Sequence, residues 1–343
     1  MINHDLITLK PKSFVLDEEN DGRKLSYLQA IHESIKSELR RDEEVILIGE
    51  EARSNVFGTF TGFYDEFGGD RIRVCPVAET GIIGIAAGAA LCGMKPICTM
   101  DMLSFLYVCM DQVVSIVSKT PYFFAGKAKL NMIIKCVEMY GSGGSGTHVD
   151  RNHPMFMHCP GLKIVAPTTP YDVKGLMRQS MLEEDPILYI EDSGVWGYKQ
   201  TVPEGEYTIP FGKAAIRREG SDVTIVAIGA CVMHAIQAAQ ELSDKGISCE
   251  VIDPRSLVPL DRETILKSVA KTGRLVIADP ANKTCSAASE ISAIVCEEAF
   301  ESLKGPIARV CTYDCVIPQA RTLEIPMYPN PEKIIKAVGY VLK

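Results

Sequence analysis

Short apolar runs alternate with segments of helical period along the whole chain. SYLQAIHESIKSELRRD spaces its apolar residues as a helix does, and the run EVILIGE after it reads as a short buried strand. The alternation continues with KPICTMDM, KLNMIIKCVE and LKIVAP as strands and PYDVKGLMRQSMLEED as a helix. Residues 79–93, rich in Ala and Gly, are long enough for a close-packed helix, and MDQVVSIVSKTPYFFAG predicts a helix stopped near Pro121. Alternating strands and helices predict an α/β fold, a parallel sheet with helices on both faces.

The rhythm breaks at GYKQTVPEGEYTIPFG, where Pro, Gly and charge mark a boundary. A second unit follows: the strand DVTIVAIG, the helix ACVMHAIQAAQELSDKG closed by Gly246, the strand ISCEVIDPRSL, the helix DRETILKSVAKTG and the strand RLVIAD. The expected organisation is an N-terminal extension (1–24), a first domain (25–196), a linker (197–212) and a second α/β domain (213–343).

At 343 residues and 46% apolar composition the chain has material for two packed cores. Its net charge of -8, with Lys and Arg scattered, offers no basic stripe for nucleic acid. No segment reaches the roughly eighteen uninterrupted apolar residues of a membrane helix, and the N-terminus lacks the apolar core of a signal peptide, so the expectation is a cytoplasmic protein. The twelve cysteines fall inside apolar runs (Cys98, Cys109, Cys231, Cys296) and read as reduced, buried thiols. Cys311 and Cys315 lack the second pair or histidines of a zinc site, and no metal ligands are assigned.

Glu79 is the only charge in residues 77–93. A carboxylate beside so much apolar surface must be paired, solvated or used, and at the head of a helix the macrodipole alone would favour it. Gly81, Gly84 and Gly88 stand three and four apart, which puts them on one helix face and predicts close packing rather than a dinucleotide-binding turn. YGSGGSGTHVD lacks the Lys-Ser/Thr ending of a P-loop and reads as a flexible loop delivering His148.

These residues carry a resemblance. FGGDRIRVCPVAETGIIGIAAGAALCGMKPICTMDMLSF, MDQVVSIVSKTPYFFAG and GSGGSGTHVDRNHPMFMHCPGLKIVAPTTPYDVKGLM are similar to the beta subunit of thiamine-diphosphate-dependent 2-oxoacid dehydrogenases of the pyruvate, branched-chain and acetoin type. VTIVAIGACVMHAIQAAQELSDKGISCEVIDPRSLVPLD and TGRLVIAD extend the likeness from about residue 25 to the chain end. The resemblance implies a parallel-sheet pyrimidine-binding domain followed by a smaller transketolase C-terminal-like domain. It implies that Glu79 hydrogen-bonds N1′ of the cofactor's aminopyrimidine, desolvation favouring the protonated carboxyl that this contact uses. Phe105 would pack on that ring, Glu50 and Glu51 would lie close to the cofactor, and His148 would face the thiazolium and serve substrate binding or acyl transfer.

Family alpha subunits carry a Gly-Asp-Gly motif for Mg²⁺ and the diphosphate; this chain has none. The resemblance therefore implies an alpha partner in a two-alpha, two-beta assembly that completes the thiamine diphosphate and Mg²⁺ site, with a lipoyl acyltransferase as a further partner. Departures fall on the substrate side: Val149-Asp150 replaces the usual Ser-Gln, IIKCVEMYG an Arg-Gly-Pro-like turn, ANKTCSAASE a Gly-rich turn, and DCVIPQARTLE a Pro-rich one. Two other readings stay open: a split transketolase-like or acyloin-forming enzyme outside such a complex, and a non-catalytic scaffold.

Overall fold

In the computed structural model the described residues are 22–50, 52, 53 and 56–343. The first sheet has seven strands in the order Ser256–Val258, Lys163–Val165, Ile187–Asp192, Ile133–Glu138, Lys95–Met102, Val45–Gly49, Ile72–Val74. Every pairing is parallel except that of Ser256–Val258 with Lys163–Val165. The second sheet runs Ala308–Thr312, Leu275–Asn282, Val223–Ala227, Cys249–Asp253, Ala215–Arg218, with only the last pairing antiparallel. The central strands are buried on both faces, which is why they read as continuous apolar runs.

Local signals set the helix ends. Ser26 and Gln29 form a reciprocal capping box at the start of Tyr27–Arg41, and Thr169 and Asp172 do the same for Pro170–Leu182, where Pro170 sits in a position that needs no N–H. These two helices pack together over the first sheet. Lys199–Val202 pairs antiparallel with Arg23–Ser26 in a small ribbon beside them.

Two expectations differ from the structure. ISCEVIDPRSL is not one strand: it breaks after Asp253, where Pro254 and a left-handed Arg255 (φ 60°) redirect the chain. Its second piece, Ser256–Val258, joins the edge of the first sheet, so the two halves of the molecule share a β-interaction. The stretch from Leu103 to Phe123 is a 3₁₀ segment (Leu103–Cys109), a π segment (Asp111–Val117) and a short helix (Thr120–Phe123). Pro121 lies in the first turn of that last helix and starts it rather than ending its predecessor.

Seven cysteines are buried, but Cys296 is exposed, because it lies on the outer face of Ala287–Glu298. No helix among the described residues is long and apolar enough to cross a membrane.

Candidate active site

The candidate residues follow the carboxyl ends of four strands that are consecutive in the first sheet. Ile72–Val74 leads to Glu79, Val45–Gly49 to Glu50, Lys95–Met102 to Phe105 and Ile133–Glu138 to the glycine-rich loop with His148. Sites of open α/β sheets lie at this end, where the loops diverge. Glu51 lies outside the described residues.

Glu79 is the first residue of the helix Glu79–Leu91 and is half-buried. Among the described residues its carboxylate finds no hydrogen-bond donor. The next residue ties the helix to the 3₁₀ segment: Thr80 Oγ1 donates to the Val108 carbonyl at 3.1 Å. Burial raises the Cys109 thiol to about 12, and the Glu79 carboxylate adds to the effect. Burial likewise raises Cys98, aided by the thiols of Cys109 and Cys75 and by Glu50.

The Phe105 ring is half-buried and meets the His148 imidazole edge-on, 5.3 Å between centroids. His148 is exposed, with Nδ1 2.8 Å from Thr147 Oγ1. The glycine-rich loop is braced rather than loose. Ser104 Oγ donates to the Thr147 carbonyl at 2.7 Å, and the His148 and Val149 amides both bond the Ser145 carbonyl. A Cβ on Gly144 would lie 2.9 Å from that of His148, so the tight turn excludes a side chain there.

Asp150 accepts from the Tyr107 hydroxyl at 3.4 Å; burial raises the carboxyl, against that bond, and raises the phenol to about 12, with Asp150 adding to it. Tyr107 and Asp150 also line a cleft of about 910 Å³ between the domains, together with Asn152, Met155 and Leu257. Glu79, Phe105 and His148 do not line that cleft. They lie at the carboxyl end of the sheet, His148 exposed and Glu79 and Phe105 half-buried.

The surface beside Glu79 carries exposed apolar side chains. Gly84 and Gly88 have no atom of the described residues within 4 Å of where a Cβ would be, so the packing their spacing predicts does not occur among those residues. Ile82, Ile83, Ala86, Ala87 and Ala90 fill the inner face of the helix, while Ile85 is 63% exposed on the outer one. Val77 (78%) and Val108 (63%) extend the exposed patch on either side of Glu79. Contiguous apolar surface of this kind marks an interaction site.

Sequence reasoning missed Ser104 and Tyr107. Both lie in LSFLYVC, an apolar stretch whose lack of period hid which side chains face the loop.

Residues 23–194 match the transketolase pyrimidine binding domain, and residues 212–334 the transketolase C-terminal domain. The beta subunit of acetoin:2,6-dichlorophenolindophenol oxidoreductase from Cupriavidus necator is 40% identical over 334 residues, spanning 94% of this chain and 98% of its own. The 2-oxoisovalerate dehydrogenase subunit beta of Bacillus subtilis is 36% identical (92% and 97% covered), as is the pyruvate dehydrogenase E1 component subunit beta of Staphylococcus epidermidis (93% and 99%). A split gene transketolase, solved as an inactive beta4 tetramer, shares the fold at TM-score 0.75 and 20% identity, covering 93% of this chain and 98% of its own. With both domains and nearly the full length of these relatives matched, the chain belongs to the family of 2-oxoacid and acetoin dehydrogenase beta subunits.

Proposed function

We propose that this chain is the beta subunit of a thiamine-diphosphate-dependent 2-oxoacid dehydrogenase, working in the cytoplasm with an alpha partner and passing its acyl product to a lipoyl domain. The observation that carries the reading is that Glu79, Phe105 and His148 all follow carboxyl ends within one run of four neighbouring strands, beside exposed apolar side chains. The residues fit the cofactor's pyrimidine end: a carboxylate at a helix N-terminus with no donor among the described residues, and a half-buried aromatic ring on the same end of the sheet.

When bound, thiamine diphosphate supplies a carbon nucleophile for the keto group and takes up the electrons released as carbon dioxide leaves. Glu79 holds a proton at the pyrimidine nitrogen N1′, and an apolar partner surface closing over Val77 and Ile85 withdraws that contact from water. Phe105 offers a flat apolar wall, and His148 Nε2 is free to exchange a proton with a substrate oxygen while Thr147 holds Nδ1. Glu50, at the end of the strand Val45–Gly49 between those leading to Glu79 and Phe105, is taken to lie near the same cofactor.

Mg²⁺ and the diphosphate are assigned to the alpha partner, since this chain has no Gly-Asp-Gly. The division at 197–212 into domains 25–196 and 213–343 belongs to the same proposal; limited proteolysis should cut first at its exposed turn, residues 204–206, beyond the strand paired with Arg23–Ser26.

Decarboxylation is expected only when the chain is combined with its alpha partner, thiamine diphosphate and Mg²⁺. Glu79→Gln should assemble normally yet lose at least about a hundredfold in rate, because an amide supplies no carboxyl proton. Turnover by the rigorously purified single chain would overturn the two-chain reading, and a Glu79→Gln complex within tenfold of wild type would reduce Glu79 to a helix-terminal charge.

A further inference from the structure

The glycine-rich loop follows a backbone path that needs support. Gly141, Gly143 and Ser145 all have positive φ (60°, 75° and 58°), and a segment so coiled satisfies only part of its amides from within. One of these amides is answered from the second domain: Gly143 N–H donates to Glu324 Oε2 at 2.8 Å, across 181 residues of sequence.

Glu324 is fully buried, and its other oxygen accepts the Tyr328 hydroxyl at 2.9 Å. Tyr328 in turn reaches both ends of the loop. Its ring lies 4.8 Å from that of Tyr140, just before the loop, and the guanidinium of Arg151, just after it, sits over both rings at 5.2 and 5.6 Å. The same segment follows the loop between those ends: a Cβ on Gly141 would lie 3.4 Å from Ile325, one on Gly143 3.2 Å from the Gln319 carbonyl, and one on Gly146 2.5 Å from Val316. Residues 316–328 therefore lie along the whole loop, and the Glu324 carboxylate bonds its backbone directly. A charge-assisted bond of this kind, removed from water, is among the stronger local restraints available to a chain.

We propose that Glu324 is a positioning residue for His148, so that the second domain sets the placement of the imidazole through the Glu324 to Gly143 hydrogen bond. The proposal rests on the reading of His148 as an active-site residue. Gln at this position can keep its oxygen on Gly143 N–H while its amide donates to the Tyr328 oxygen. Asp is one methylene too short to reach, and Ala has no acceptor.

The test has two arms. In the full-length chain, amide hydrogen exchange at Gly143 to Val149 and the His148 ring resonances are compared for wild type and Glu324→Ala, →Asp and →Gln. Exchange at Gly143 should quicken by about tenfold to a hundredfold in the Ala and Asp variants and return towards wild type in Gln. In the assembled enzyme, Glu324→Ala should lower kcat by about tenfold with KM nearly unchanged, and add less than about twofold when His148 is already Ala.

Loop exchange and ring resonances unchanged in both Ala and Asp would overturn the proposal, as would kinetic losses that simply multiply with those of His148→Ala. If the wild-type complex has no thiamine-dependent activity, the functional reading fails on its own. The exchange arm still decides whether Glu324 holds the loop. Glu324→Asp keeps the test open should the Ala variant fail to fold.

Discussion

His148 projects into open space with Phe105 against its edge and the Thr147 hydroxyl on Nδ1, which leaves Nε2 as the free end. A histidine so placed can serve acyl transfer without being needed to release carbon dioxide. His148→Ala should therefore slow acylation of a lipoyl domain by about a hundredfold, within the range of a lost proton-transfer group, while leaving decarboxylation coupled to an artificial oxidant within about tenfold. Both rates would be measured on the same reconstituted complex. Equal losses would move His148 from acyl transfer to substrate binding. Wild type that never acylates a lipoyl domain would instead favour the split-enzyme reading, which the Asp150 carboxylate in place of an amide already makes worth testing. Glu79 and His148 were legible because their neighbours in sequence, an apolar helix and a glycine-rich loop, are themselves distinctive. Glu324 was not, since its partner is Gly143 and nothing local to TLEIP announces a buried carboxylate.

At the scale of elements, the helix Glu79–Leu91 shows how far pattern reading goes. Its ends follow from Glu79 in the first turn and the αL glycine Gly93 beyond its last residue. Its orientation could not be predicted, because the helix is apolar all round and has no polar face to point at water. The buried strands were easy for the complementary reason that continuous apolar runs bounded by turns admit few other structures. The split of ISCEVIDPRSL depends instead on Arg255, whose guanidinium bonds the Lys213 carbonyl and Asp172 in the other domain, contacts that no window along the sequence contains. The outward glycine face gives a prediction with two opposite signs. A Cβ at Gly84 has no described atom within 4 Å, and Gly84→Leu replaces the poorest helix former but proline with one of the best, so the melting temperature of the isolated chain should stay level or rise. Assembly with the alpha partner should be lost in sedimentation, because the added side chain occupies the space where another backbone would approach. A Gly84→Leu chain that assembles with wild-type affinity would show that this face is not the interface.

Across the whole molecule, the domains meet through buried charge directly behind the loop that carries His148. Arg151 pairs with Asp192 at 2.7 Å, and Asp192 also accepts the amides of Gly194 and Ala230, the latter from the second domain. His153 lies between Glu138 of the first sheet (Nδ1, 2.8 Å) and Asp279 of the second (Nε2, 3.2 Å). Burial works against a charged His153, but the carboxylates of Glu138 and Asp279 outweigh it and lift its pKa from 6.5 to about 10. The folded chain thus holds that proton more tightly than the unfolded chain. The resulting stability is complete below 6.5 and is lost as the pH rises towards 10. His234, buried near the same cluster with Nε2 3.5 Å from the Tyr140 hydroxyl, behaves oppositely. Burial, with Arg151 assisting and Asp192 opposing, lowers it to about 4, so its contribution is complete above 6.5 and disappears as the pH falls towards 4. Stability of the isolated chain should therefore decline on both sides of 6.5, read as the urea midpoint across the pH range. His153→Gln leaves the buried Asp279 without its cation and Glu138 with Arg151 alone, at 3.4 Å, and should be less stable throughout. Its midpoint should nevertheless fall less steeply than wild type between 6.5 and about 10, because the group that loses its proton there is gone. A His153→Gln chain whose alkaline slope matched wild type would mean that His153 is already neutral in the folded protein, and that the domains are held without a charge between Glu138 and Asp279.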